Sequence, residues 1–288
     1  MVSNPSSFLN KATRFVKTYA KYFFGTKPKV YWWSMIVEQG SVYENFGDII
    51  TPYLVEKITK TKPQYFNVNT RFSNYFKHYL MTGSIIGRSN KNTIVWGSGI
   101  IRKDQQIEGG AFLAVRGPRT AARLKELDFE VPDVYGDPGL LLPLFYKPVI
   151  EKKYKYGVVS HYKDSEKITS ALAARSDILH IELTTETIEP VVDKIVSCDY
   201  IISTSLHGLI TAHGYNIPAA WWRVSNELSG DDIKFTDYFE SVNEYIFSNN
   251  SSYDIEELID KAHFILPSEK IIKNIQNKLL DSFPIKKR

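Results

Sequence analysis

Apolar positions along the chain fall into short runs that end in small or polar residues, with stretches of helical period between them. Val30-Tyr31-Trp32-Trp33 predicts a buried strand, followed by a loop from Glu38 to Asp48. A helix comes next, with Ile49, Ile50, Tyr53, Leu54 and Ile58 on one face and Pro52 in its first turn. Residues 79–84, 93–99 and 112–116 are three more short apolar runs, and Pro118 opens a helix that reaches Leu127. Gly136-Asp137-Pro138-Gly139 leads out of this series, and the charged tract 150–155 reads as a linker. A second series then begins, with strands predicted over 156–161, 178–181, 200–203 and 218–222 and helices over 187–197 and 208–214. The tail 253–282 reads as two helices broken near Pro267. Strands alternating with helices predict an α/β fold of two Rossmann-like domains, 1–149 and 150–288, facing a crevice. Ligands of such sheets bind beyond the carboxyl ends of the strands.

Two segments need a separate reading. Residues 5–24 set Phe8, Phe15, Tyr19 and Phe23 against Lys11, Arg14, Lys17 and Lys21. This is a basic amphipathic helix, packed on the domain surface or touching an anionic membrane. Its charges also interrupt any signal-peptide core. Residues 200–222 carry no formal charge, but Ser203, Thr204, Ser205, His207, His213 and Asn216 are too polar for a lipid-facing span of about 20 residues. A strand, loop and helix lining a site fit this stretch better.

Composition narrows the classes. Hydrophobic residues make up 43% of the chain and charged residues 24%, which is ordinary globular composition. The net charge of +4, from 36 basic and 32 acidic side chains, comes with no dense basic stretch, so no nucleic-acid partner is expected. The single cysteine, Cys198, excludes an internal disulfide and a Cys-rich zinc site. It is expected to be a buried, inert thiol in a cytoplasmic protein.

Ser203-Thr204-Ser205-Leu206-His207-Gly208 places hydroxyls and an imidazole where a strand ends and a helix begins. The first N–H groups of a helix lack intrahelical partners and attract anions. His207 there either exchanges a proton or simply bonds a backbone carbonyl, with Ser205 as a cap. Arg116 and Arg119 bracket a turn at another strand end, where guanidinium forks suit carboxylate and phosphate or form surface ion pairs. Arg123 is expected to be solvated. Asp48, in Asn45-Phe46-Gly47-Asp48, either caps its helix or faces the crevice as a base beside Asn45. Gly97-Ser98-Gly99 falls short of a dinucleotide fingerprint. Asp137 orients the crevice arginines or shapes a turn, and His161 at a strand end is a further donor-pocket candidate. His213 lies about 240° around the helix from His207, which argues against a shared metal.

In order and spacing, Asn45-x-Gly47-Asp48, Trp96-Gly97-Ser98-Gly99, Val115-Arg116-Gly117-Pro118-Arg119-Thr120, Gly136-Asp137-Pro138 and Ser205-Leu206-His207-Gly208 resemble the polysaccharide pyruvyltransferase family. Gly230-Asp231-Asp232-Ile233-Lys234-Phe235 resembles that family's Lys-Phe segment. The similarity runs from about residue 30 to 245 and is strongest to the bacterial exopolysaccharide and capsule branch. It implies a fold like the B-type glycosyltransferases and a phosphoenolpyruvate donor whose pyruvyl unit forms a ketal on a sugar of a polysaccharide or of its lipid-linked precursor, with release of phosphate. No cofactor and no metal are implied.

By this resemblance the family's histidine falls on His207 and its arginine on Arg116; the reaction then assigns His207 as proton donor or phosphate partner, Arg116 and Arg119 to the anion, and Asp48 as a candidate base. Ser203, Thr204, Ser205, Leu206, Gly208 and His161 are donor-side residues. Asn45, Gly47, Gly97, Ser98, Gly99 and Asp137 line the acceptor side or the crevice. The chain departs from many relatives at Ser205, where they carry Arg. A nucleotide-sugar glycosyltransferase and a non-catalytic carbohydrate-binding protein stay open as alternatives. The expected location is cytoplasmic or peripheral at the inner face of the membrane.

Overall fold

The first half of the chain contributes β1 (Lys29–Tyr31), β2 (Glu44–Asn45), β3 (Gln64–Tyr65), β4 (His78–Leu80), β5 (Thr93–Trp96) and β6 (Ala111–Ala114). All but β2 form one parallel sheet in the order β3-β1-β4-β5-β6. The second half contributes β7 (Tyr154–Ser160), β8 (Ile178–Glu182), β9 (Thr184–Thr185), β10 (Cys198–Ser203), β11 (Ala219–Arg223) and β12 (Asn249–Asn250). All but β9 form a second parallel sheet, β12-β11-β10-β7-β8. The architecture is therefore α/β with parallel sheets. This computed structural model describes residues 25–70, 73–161, 165–172, 175–223, 230–245, 249–250 and 255–286. The segment 5–24 lies outside the described residues.

Parallel strands covered on both faces must be apolar on both sides. Val95 and Trp96 in β5 and Ile201 and Ile202 in β10 are wholly buried accordingly. Helices cover the sheets where the period predicts them, with shifted ends. The Phe46–Thr59 helix begins earlier than Ile49 because Asn45 caps it, its Oδ1 accepting from the Gly47 N–H at 3.0 Å. Pro52 therefore lies inside the helix, where it cannot donate to the carbonyl of Asp48. The Leu206–Gly214 helix likewise starts before Gly208, which brings His207 into its first turn. Tyr154 and Lys155, read from sequence as linker, open β7. Cys198 is fully buried and donates to the Lys194 carbonyl at 3.3 Å, and burial raises its thiol to about 11.

The halves are not packed independently. One apolar cluster includes Phe46 and Leu140 together with Ile210 and Leu279. β2 and β9 pair antiparallel across the halves, and the Phe46 N–H donates to the Leu183 carbonyl at 2.8 Å. The Glu269–Asp281 helix returns to the first half, where Trp96 Nε1 donates to the Leu279 carbonyl at 3.0 Å. Gln276 Nε2 donates to the Leu140 carbonyl at 2.7 Å. No helix among the described residues is long and apolar enough to cross a membrane.

Candidate active site

A cavity of about 770 Å³ opens where carboxyl-end loops of both sheets meet. Asn45, Asp48, Ser84 and Arg88 face it from the first half, and His161, Thr204, Ser205, Leu206 and His207 from the second. Lys234, just inside the Ile233–Ser241 helix, completes the ring of polar groups. Trp33, Gln39 and Gln105 stand in the same wall, with the Arg88 guanidinium 5.9 Å from the Trp33 ring centroid.

The strand-to-helix turn after β10 is held from within. Ser203 Oγ accepts from the Ser205 N–H at 3.0 Å and donates to the Ser205 carbonyl at 2.8 Å. Thr204 Oγ1 accepts from the His161 N–H at 2.8 Å, which ties the ends of β7 and β10 together. Ser205 occupies the N-cap without a side-chain cap bond, so the first turn of the Leu206–Gly214 helix keeps donor N–H groups beside the cavity. Such a helix start binds an anion with no further device.

Two glycines show how distant motifs interlock. A Cβ on Gly47 would lie 2.0 Å from His207 Nδ1, so this glycine makes room for the imidazole. A Cβ on Gly99 would lie 2.4 Å from Arg116 Cζ, so this one makes room for the guanidinium. Arg116 is fully buried. Its Nε donates to Asp237 Oδ2 at 3.0 Å, Nη1 to Ser84 Oγ at 2.6 Å and Nη2 to the Ile100 carbonyl at 2.6 Å. Asp237 also accepts from the Thr120 N–H at 2.9 Å and from the Thr120 hydroxyl at 2.7 Å.

Asp137 caps the short helix Pro138–Leu141, its Oδ1 accepting from the Gly139 N–H at 2.8 Å. Its Oδ2 faces His207 Nε2 at 4.0 Å, and neither atom has a hydrogen-bond partner. A buried group left unpaired costs about 1–3 kcal/mol, so this gap is costly.

Burial sets the protonation states. It raises the Asp48 carboxyl to about 8, helped by Glu44 and only partly offset by Lys234. It lowers the His207 imidazole to about 3, with Arg116, Lys234 and His161 pushing the same way. It raises Asp137 to about 6 against the Gly139 N–H and Arg116. At neutral pH Asp48 is mostly protonated, His207 neutral and Asp137 mostly ionised. Among the described residues no group of three or more His, Cys, Asp and Glu side chains converges.

The residues singled out from sequence divide into two layers. Asn45, Asp48, His161, Thr204, Ser205, Leu206 and His207 line the cavity. Gly47, Gly99, Arg116 and Asp137 stand behind it, as described above. Ser98 holds the Gly83 turn, its Oγ donating to the Gly83 carbonyl at 2.8 Å, and Gly97 packs on Pro138. Ser203 and Gly208 pack on each other beneath the β10 turn. Arg119 turns away to the surface, where Nε and Nη2 pair with Glu240 at 2.7 and 2.5 Å. Arg123, expected in solvent, donates to the Gln105 carbonyl at 2.9 Å and so braces a cavity residue. His213 is taken up by the core, Nδ1 meeting the Tyr238 hydroxyl at 2.9 Å and Nε2 the Ile265 carbonyl at 3.1 Å. Sequence reasoning gave no role to Arg88, Lys234, Trp33 or Gln105. Arg88 sits in a Gly-Arg-Ser-Asn turn shortly after β4, a position that marks it as a candidate.

The family model for polysaccharide pyruvyl transferase matches residues 45–226, which takes in every cavity residue of the second sheet except Lys234. The chain belongs to the polysaccharide pyruvyl transferase family. Uncharacterized protein L143 of Acanthamoeba polyphaga mimivirus is 35% identical over 205 residues, which is 67% of this chain and 69% of that protein. A crystal structure of an uncharacterised protein from Klebsiella pneumoniae superposes with a TM-score of 0.46 at 13% identity, covering 84% of this chain and 98% of the other. Membership makes this pyruvyl transferase chain a transferase by class, with a polysaccharide as the acceptor of its family.

Proposed function

We propose that the cavity binds phosphoenolpyruvate and transfers its pyruvyl unit to a sugar of a polysaccharide or its lipid-linked precursor, closing a ketal and releasing phosphate. The observation that carries this reading is one pocket holding a helix N-terminus, two cations and two proton-exchanging groups: the Leu206 turn, Arg88 and Lys234, Asp48 and His207. The donor brings a carboxylate and a phosphate, and the site offers separated positive groups for both. Lys234 serves as a point charge and Arg88 as a fork. Arg88 takes the place of the Arg that relatives carry at the position of Ser205. Arg116 acts from behind, since its guanidinium is already engaged with Asp237, Ser84 and Ile100. Trp33, Gln39 and Gln105 offer an aromatic face and amides to sugar rings and hydroxyls. On this reading the halves 1–149 and 150–288 act as acceptor and donor domains of a B-type glycosyltransferase-like fold.

Thermal unfolding with millimolar phosphoenolpyruvate tests the donor. At about 100 times its Kd the ligand adds roughly 2.7 kcal/mol of stability, and Lys234→Ala abolishes the shift. A shift produced only by UDP- or GDP-sugars would sink the reading in favour of a glycosyltransferase.

A further inference from the structure

His207 sits between a sealed carboxylate and an open cavity. Its Nε2 is buried and faces Asp137 Oδ2 at 4.0 Å, and both atoms lack partners. Asp137 is fully buried and cannot swing away, because its Oδ1 is fixed on the Gly139 N–H at 2.8 Å. The ring is 14% exposed and lines the cavity, while Nδ1 is not among the sealed unpartnered atoms. It therefore turns its Nδ1 side to the substrate space. Asp48 is the sole carboxyl among the described residues of the cavity wall.

Resting on the pyruvyl-transfer reading, we propose that Asp137 is a positioning residue. It accepts the Nε2–H of His207, so that Nδ1 takes the proton of the attacking sugar hydroxyl while the Asp48 carboxyl gives its proton to C3 of the donor. The 4.0 Å separation exceeds a hydrogen bond and closes when substrate presses the ring inward, since catalytic contacts tighten in the substrate complex. This order reverses the one expected from the sequence, in which His207 donated and Asp48 received.

The protons balance over two steps. In the first, the Asp48 proton forms the new C–H bond at C3, the first hydroxyl oxygen bonds to C2, and its proton passes to Nδ1. In the second, the bond from C2 to the phosphate oxygen breaks, and phosphate leaves with the proton from Nδ1. The second hydroxyl then bonds to C2, and its proton returns to Asp48. Each group ends as it began, and a trianionic donor yields a carboxylate ketal and hydrogen phosphate.

The charged neighbours support this order. His207 faces Asp137 from the Pro138–Leu141 turn, Arg116 from the end of β6, Lys234 from the Ile233–Ser241 helix and His161 from the end of β7. Asp48 faces Glu44 on β2, Lys234, and Tyr31 on β1. Burial and Glu44 favour the protonated carboxyl, while burial, Arg116, Lys234 and His161 favour the neutral imidazole.

The deciding measurement is the tautomer of His207, read by nitrogen-15 NMR on imidazole-labelled protein and assigned with His207→Gln. The wild type is expected to carry its proton on Nε2 at neutral pH. In Asp137→Asn the amide oxygen keeps the Gly139 bond, so the amide N–H meets Nε2 and the proton moves to Nδ1. Turnover of that variant falls about 10²–10⁴-fold, with the KM for phosphoenolpyruvate within about threefold of wild type. Residual turnover of Asp48→Asn loses the alkaline limb of its pH profile and keeps the acidic one. An Nδ1–H tautomer in the wild type, or no change in Asp137→Asn, overturns the positioning role. Loss of the acidic limb in Asp48→Asn overturns the proton order. An Nε2–H wild type that never turns over phosphoenolpyruvate leaves the pairing standing and retires the donor reading instead.

Discussion

Two buried pairs lie behind the cavity wall, and they differ in completeness. Arg116 and Asp237 form a closed network, in which three guanidinium donors and both carboxylate oxygens have partners between 2.6 and 3.0 Å. Asp137 and His207 form an open one, with a 4.0 Å gap and an unpartnered atom on each side. A closed network fixes geometry. An open one leaves buried polar atoms still able to take a partner. Arginine at a strand end, the more conspicuous residue in the sequence, is here the structural member. The histidine is the member that reaches the cavity wall.

The sharpest way to break this contrast is Arg116→Ala. It leaves Asp237 buried without its cation, held only by Thr120, and chemical denaturation should show a loss of about 3–5 kcal/mol. A variant as stable as wild type that fails only to bind phosphoenolpyruvate would move Arg116 from the frame into the site.

Asp48→Asn gives an effect whose size depends on pH. Between the carboxyl's ordinary value of 3.8 and its raised value of about 8, the folded protein holds a proton there that the unfolded chain does not. This residue's contribution therefore weakens folding as pH rises through that window, by up to about 1.4 kcal/mol per unit. Asp48→Asn should match wild type near pH 4 and exceed it near pH 8, read as the midpoint of denaturation at each pH. The opposite slope would mean that the carboxylate is stabilised as an anion, which removes it as an acid.

Arg119→Ala calibrates the low end. The residue pairs with Glu240 at a side-chain exposure of 51%, and its loss should cost about 0.2–1 kcal/mol and leave turnover within twofold. A turnover loss of tenfold or more would return Arg119 to the donor site.

The parallel α/β pattern was legible in the sequence because β5, β7 and β10 carry apolar runs ending in Gly or Ser. Cavity residues at the Asn45 and Ser205 turns were legible for the same reason, since strand ends point at ligands. The partition among arginines was not. Whether a guanidinium faces a ligand or a carboxylate depends on Asp237, which lies 121 residues from Arg116 in the chain. Nothing in the local pattern of Val115-Arg116-Gly117-Pro118 reports that partner. Lys234 was legible only as part of the Lys-Phe segment, since nothing in that segment reports that its helix sets the side chain at the cavity wall. The start of the Phe46–Thr59 helix was not legible in the apolar spacing, which begins at Ile49, because the Asn45 cap sets the first turn.

The return of the Glu269–Asp281 helix bears on synthesis. Trp96 waits for a carbonyl 183 residues further along the chain. At ribosomal rates that interval is on the order of 10–40 s, during which the first sheet has one flank uncovered. Nascent chains are therefore exposed to association through that apolar flank around Trp96 and Leu140 until the helix arrives. A chaperone that shields it should raise the yield of folded enzyme more than one acting on the second sheet.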